Sequence, residues 1–304
     1  MRTTKLGGAT ICVLTVLAVV LACSAETTDA LRIGIFADLH AHDTDSPLDQ
    51  FALTGWAERL QACVDAMNAW PADLMIQLGD FINARFVLGA ELGDPERIPR
   101  ILEAAEAVYA GFNGPRYHVL GNHDVGDLTK AEFLERVNTD ATSYSFDAGA
   151  YHFVVLDAQY RFDGTDRGNE FWFMQGYVPP SLLEWLQEDL AATDRPTIVC
   201  VHQRLDLDFE QRHGGPEIVN HVEVRDVLVE AGNVIAVFHG HDHGGGYSQI
   251  DGIHYVTFVA LLDMTWGKPL TWAFVTLDPT ARTITIDGVG EQPDMTLDYE
   301  EVLR

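Results

Sequence analysis

His118-Val119-Leu120-Gly121-Asn122-His123-Asp124 decides the reading of this chain: a short strand pattern meets a glycine and then three polar side chains able to bind metal. Four more strand patterns run directly into polar residues able to bind metal. Ile33-Gly34-Ile35-Phe36-Ala37 leads into Asp38-Leu39-His40, and Met75-Ile76-Gln77-Leu78-Gly79 leads into Asp80. Ile198-Val199-Cys200-Val201 leads into His202, and Val234-Ile235-Ala236-Val237-Phe238 leads into His239-Gly240-His241-Asp242-His243. Ligands in open α/β sheets gather outside the carboxyl ends of the strands, so these five clusters are predicted to converge at one edge. The glycines beside them permit the tight turns and close backbone approach that such a site needs.

The chemistry of the set is oxygen and imidazole coordination: two Asp, one Asn and four His, with no thiolate. Those donors suit Mn, Fe or Zn better than Cu(I) or an iron–sulfur cluster. They are too many for one structural zinc and enough for two ions that share a carboxylate. Two metals roughly 3.5–4 Å apart form a clamp for in-line displacement at phosphorus. A lone Gly-Asp or Asp-x-His arises often by chance. Five such pieces in order, each after a strand, do not.

Around these motifs the chain reads as one continuous α/β pattern. Strand runs occur at Leu31–Ala37, Leu74–Leu78, Tyr117–Leu120, His152–Leu156, Thr197–Val201 and Val234–Phe238. Between them, Leu53, Trp56, Leu60, Cys63, Val64 and Met67 fall at helical spacing, as do Ile98, Ile101, Leu102, Ala105 and Val108 after Asp94-Pro95. Further helices are predicted near Ser181–Leu190 and Glu217–Glu230. Apolar strands alternating with helices predict a buried sheet system covered on both faces. The stretch from Tyr247 to Ile286 reads as meandering strands completing a second sheet. Nothing resembles a linker, so residues 23–304 are read as a single domain.

A chain of 304 residues with 47% hydrophobic content has ample material for a core and no need of disulfide staples. Lys+Arg number 19 against 46 Asp+Glu, a net charge of −27, which excludes the clustered cations that a duplex nucleic-acid partner requires. Residues 1–22 read as a signal peptide: Arg2 and Lys5 precede an apolar run from Ala9 to Ala22, shorter than the roughly 20 residues of a membrane span. The run ends Val20-Leu21-Ala22-Cys23-Ser24, which resembles the lipobox of bacterial lipoproteins, with valine in the usual leucine position. That reading makes Cys23 the lipidated N-terminus of an exported cell-envelope lipoprotein, touching the membrane through its lipid only. Ordinary cleavage nearby and secretion is the alternative. Cleavage removes two cations and no acid, taking the charge from −27 to −29. In the body of the chain, Cys63 and Cys200 both sit in apolar contexts and read as buried side chains.

Taken together, Asp-x-His, Gly-Asp, Gly-Asn-His-Asp, a lone His and Gly-His-x-His resemble the calcineurin-like metallophosphoesterase superfamily over residues 31 to about 262. The resemblance implies an α/β fold, a four-layer αββα sandwich of two mixed β-sheets flanked by helices, carrying a dinuclear metal centre. It implies Asp38, His40 and His243 at the first metal and Asn122, His202 and His241 at the second, with Asp80 bridging them. His123 is implied as the acid near the leaving oxygen, with Asp124 orienting it. Tyr117–His123, Phe153–Ala158 and Gly240–Ser248 are most similar to the manganese-dependent ADP-ribose/CDP-alcohol diphosphatase branch, which makes manganese the expected metal and iron or zinc the alternatives. That branch often has Gln where this chain has His40.

The remaining histidines divide by context. His118, His152 and His254 lie inside strand patterns and are expected to be structural. His42 is either a further donor or an exposed loop residue, and His239 is expected to support a ligand. Two loops at the active edge, Tyr160–Val178 and Gln203–Gly215, carry Arg161, Arg167, Phe171, Trp172 and Arg204. These residues either bind a second phosphate and stack a base, or pack the loops onto the domain. The expected function is hydrolysis of phosphodiester or diphosphate bonds in small, nucleotide-like phosphorylated substrates. An exported broad phosphomonoesterase, a cyclic-nucleotide phosphodiesterase and a non-catalytic scaffold on the same fold are the alternatives.

Overall fold

Residues two apart share a face of a strand, and Leu31-Arg32-Ile33-Gly34-Ile35-Phe36 uses both faces. Leu31, Ile33 and Ile35 enter a core shared with a second sheet, whereas Phe36 turns to the opposite side and packs under helices. The structure is a computed structural model and describes residues 29–42, 55–83, 96–169, 175–207, 218–261 and 269–301.

The first sheet runs, in spatial order, β12 (Met295–Asp298), β11 (Thr283–Val289), β10 (Trp272–Asp278), β1 (Leu31–Phe36), β2 (Leu74–Gln77) and β3 (Arg116–His118). The second runs β4 (Tyr144–Ala148), β5 (Tyr151–Val155), β6 (Thr197–Cys200), β7 (Val234–His239), β9 (Ile253–Thr257) and β8 (Gly246–Ile250). Both are mixed. β1, β2 and β3 are parallel to one another, as are β5, β6 and β7, and this brings the carboxyl ends within each set to one edge.

Three apolar interfaces separate four layers. Ile33, Ile35 and Ile76 meet Phe153, Ile198 and Phe238 between the sheets. Outside the first sheet, α1 (Trp56–Ala69), α2 (Arg97–Tyr109) and α3 (Lys130–Val137) bury Leu60, Met67, Leu102 and Phe133 against Phe36 and Met75. Outside the second, α4 (Pro180–Ala191) and α5 (His221–Ala231) bury Leu186, Leu190, Val224 and Leu228 against Val154, Val199 and Val237. The architecture is the αββα sandwich.

The described structure corrects the tail. Of the strands after Tyr247, only β8 and β9 join the second sheet, while β10, β11 and β12 extend the first. β10 pairs antiparallel with β1, and its Ala273, Val275 and Leu277 fill the inter-sheet core. The sequence pattern also left out α3, which starts at a full capping box between Thr129 and Glu132. The Asp94-Pro95 pair, and Glu217 at the expected start of α5, lie outside the described residues. Cys63 and Cys200 are free and buried, as expected.

Candidate metal centre

Three of the turns that follow the strands bend sharply, at four residues. Asp38, His40, Asp80 and His241 adopt φ of 53°, 48°, 51° and 66°, in the left-handed region that side chains with a β-carbon seldom occupy. They are four of the eight such non-glycine residues described, so this uncommon backbone concentrates at one place, as it does at functional sites. Main-chain hydrogen bonds hold the turns together. Asp38 N–H donates to the Gly79 carbonyl (3.1 Å) and His40 N–H to the Asp80 carbonyl (2.9 Å). The Asp38 carboxylate accepts the His241 amide at 3.0 Å, and Asp80 Oδ1 accepts the His123 amide at 2.8 Å. Glycine is required where strand ends press together. A β-carbon on Gly121 would lie 2.2 Å from the Asp80 amide nitrogen, and one on Gly79 would lie 2.3 Å from His202 Nδ1.

The donor atoms form two lobes. In one, His40 Nε2 and His243 Nε2 are 3.1 Å apart, and Asp38 Oδ1 lies 3.6 Å from His243 Nε2. In the other, His202 Nε2 is surrounded by Asn122 Oδ1 (3.2 Å), Asp80 Oδ2 (3.2 Å) and His241 Nδ1 (3.1 Å). Asp80 Oδ2 also lies 3.6 Å from His40 Nε2, which joins the lobes. His202 Nδ1 faces the Leu78 carbonyl at 2.7 Å and must donate to it, so Nδ1 carries a proton and Nε2 is the nitrogen left for the cluster. One nitrogen cannot hydrogen-bond three neighbours, but a cation among all four atoms binds each. Nitrogens about 2.0–2.1 Å from a shared ion come to roughly this mutual spacing. The buried Nε2 of His241 has no hydrogen-bond partner among the described residues, which leaves the ring held from its Nδ1 side.

The electrostatics agree. Burial lowers His40, and it is the main cause that holds His241 at about 3 and His243 below the usual range, which favours the neutral ring at each. Burial pushes Asp38 up, with Asp80 adding to it against His202, whereas at Asp80 the opposing pull of His202 and His123 outweighs burial. Burial also works against a charge on His202, yet Asp80 overcomes it and raises this ring to about 9. The proton His202 retains stands in for a cation. Neutral imidazoles and paired carboxylates are the states that divalent metals need. The residues fit a dinuclear site.

His123 and Asp124 separate in the structure. His123 Nδ1 lies 2.6 Å from Asn83 Oδ1, and its Nε2 points toward the cluster, 3.9 Å from Asp80 Oδ2. Asp124 does not orient it. Both Asp124 oxygens accept backbone amides, from Ile82 (3.0 Å) and Gly121 (2.8 Å), which ties the Asp80 turn to the Asn122 turn. Asn83, absent from the sequence expectations, takes that place.

The predicted substrate residues are redistributed as well. Arg161 folds back on Thr165 and the Asp166 carbonyl. Arg167 is buried and donates to the Gln175 carbonyl, and Arg204 is held by Asp206 and Asp242. In these contacts all three arginines are engaged by acceptors of the protein itself. Phe171, Trp172 and Cys23 lie outside the described residues. His118, His152 and His254 are structural, held by Glu106, by Asp147 and Asp189, and by Tyr247 and the Asp298 carbonyl. His239 Nε2 accepts the Leu205 amide. His42 is buried and lines a cleft of about 560 Å³ with Trp56, Glu58, Arg97 and Arg100.

A model of the calcineurin-like phosphoesterase family matches residues 31–245, and the chain belongs to that family. With the donor set described above, it is a metal-dependent phosphoesterase. The chain is 27% identical over 232 residues to the manganese-dependent ADP-ribose/CDP-alcohol diphosphatase of Oryza sativa subsp. japonica, covering 62% of this chain and 70% of that one. The Xenopus laevis protein of the same name is 23% identical, over 88% of this chain and 90% of its own. A dimetal phosphatase from Danio rerio has the same fold, with a TM-score of 0.72 at 20% identity, covering 89% of this chain and 99% of that one.

Proposed function

We propose that the chain is a manganese-dependent hydrolase of nucleotide-like diphosphates, similar in substrate class to the relatives named above. The observation that carries this is the pair of donor lobes joined at Asp80. In this reading Asp38, His40 and His243 hold one ion, Asn122, His202 and His241 hold the other, and Asp80 serves both. When bound, such ions supply Lewis acidity toward phosphoryl oxygens and a strong nucleophile at neutral pH. Water adds to phosphorus, the P–O bond to the leaving group breaks, and the departing oxygen takes a proton from His123 Nε2. His123 is placed for this because Nδ1 is engaged by Asn83 and Nε2 is the edge turned toward the cluster.

The cleft lined by His42, Trp56, Arg97 and Arg100 supports a nucleotide-like substrate. Its volume suits a small organic ligand, and it combines an aromatic ring with two cations in a strongly acidic chain. His42 is two residues beyond His40, so the wall of the cleft begins within about 7 Å of chain from the proposed ligand. The test is a hydrolysis panel of ADP-ribose, CDP-choline, cyclic AMP and simple monoesters with Mn, Zn and Fe loading. ADP-ribose and CDP-choline should turn over fastest with Mn. Preference for monoesters would make the chain an exported phosphomonoesterase, and preference for cyclic AMP a phosphodiesterase. No turnover of any of them by metal-loaded protein would favour the scaffold.

Export and lipidation at Cys23 belong to the same proposal. Among the described residues no helix is long and apolar enough to cross a membrane. A lipid on Cys23 predicts that the mature protein partitions with membranes, carries diacylglycerol and loses both properties in Cys23→Ser. Soluble wild-type protein beginning at another residue would contradict this.

A further inference from the structure

Arg204 lies two residues after His202, in the loop that follows β6. Its Nε and Nη2 reach the two oxygens of Asp206 as a fork, both at 2.9 Å, and its Nη1 reaches Asp242 Oδ2 at 2.7 Å. Ser248 Oγ donates to Asp206 Oδ2 at 2.7 Å and completes that carboxylate's coordination. The Asp206 side chain is 1% exposed and that of Arg204 12%, so the pair is largely out of water, where such contacts are directional and strong. Gly246 makes room for the guanidinium: a β-carbon there would sit 3.3 Å from both Nη atoms.

Asp242 stands between His241 and His243. Neighbouring side chains leave the backbone in different directions, so tethering Asp242 on the Arg204 side fixes how the flanking imidazoles face the cluster. His243 depends on this most. Its side chain is 34% exposed, whereas the other six proposed ligands are buried. His202, by contrast, is locked by its Leu78 carbonyl. Metal-bound histidines ordinarily need such a partner to fix the ring.

We infer that Arg204 is a positioning residue that clamps the His202 loop to the His241/His243 turn, and so sets the geometry of three metal ligands without touching substrate. The inference rests on the proposed dinuclear site. A planar fork that reaches two carboxylates at once cannot be replaced by the point charge of lysine. The loop geometry is therefore what matters, and the charge alone does not suffice.

The test titrates Mn²⁺ into the full chain, measuring bound metal by electron paramagnetic resonance, for wild type, Arg204→Lys and Asp242→Asn. Arg204→Lys should bind Mn²⁺ roughly 10–100-fold more weakly, with Asp242→Asn weakened in the same direction by less. At saturating Mn²⁺ both variants should regain most of kcat, with KM for ADP-ribose within about twofold of wild type. Unchanged Mn²⁺ affinity in both variants would overturn the clamp. So would unchanged affinity with a KM raised about tenfold, the mark of a substrate-binding arginine. Asp242 is 39% exposed, so its variant keeps the test available should Arg204→Lys fail to fold. Wild type that binds no Mn²⁺ would instead refute the dinuclear reading itself.

Discussion

Asp80→Ala is expected to lose metal and hydrolysis together. Asp80 Oδ2 is 3.2 Å from His202 Nε2 in one lobe and 3.6 Å from His40 Nε2 in the other, so a single carboxylate serves both proposed ions. Its removal also leaves His202 without the partner that holds it at about 9. Each ion then loses an anionic donor, and the two sites should fail as a unit. Bound metal should fall from two ions per chain to fewer than one. Activity should fall roughly 10⁴-fold or more, the scale on which interdependent catalytic sets collapse. Elemental analysis showing two ions retained in the folded variant would remove Asp80 from the bridging position.

His123→Ala separates chemistry from metal binding. If its Nε2 protonates the leaving oxygen, the variant keeps both ions and loses roughly 10²–10⁴-fold in rate on an alkyl leaving group. The loss should be much smaller on nitrophenolate, which departs without a proton. Burial holds His123 below the usual histidine range, against the pull of Asp80. The protonated ring is therefore favoured only toward acid, and kcat on alkyl substrates should decline as pH rises through that lowered pKa. Asn83→Asp places a carboxylate 2.6 Å from Nδ1, favours the imidazolium and should move the decline to higher pH. Equal losses on both leaving groups with metal intact would refute the acid role. Loss of one ion would make His123 a ligand, in line with its place among the donor atoms near His40 and Asp80.

The site was legible because each piece is local: a strand, a turn and a donor, written within five to ten residues. Parallel pairing of β1 with β2 and of β6 with β7 then brings distant pieces together without further information in the turns. What stayed hidden depends on contacts between loops. Asp124 is next to His123 in sequence, yet its carboxylate turns to the Ile82 and Gly121 amides, while Asn83, forty residues earlier, reaches the ring. Arg204 looked like a substrate cation because nothing local reveals Asp242 opposite it. The tail was misplaced for the same reason. The alternation of β10 shows a strand with one buried face, but either sheet offers such a face, and only pairing with β1 decides. The missed α3 is different: its Thr129-x-x-Glu132 capping box was readable in the sequence.

The most direct test of the account is the metal stoichiometry of the full chain, measured while metal-stripped protein is reloaded with Mn²⁺ and assayed on ADP-ribose. The account predicts no hydrolysis by the stripped protein, two ions bound per chain at saturation, and activity that rises with occupancy of the second. Saturation at one ion per chain, or hydrolysis that persists after both ions are removed, would contradict it.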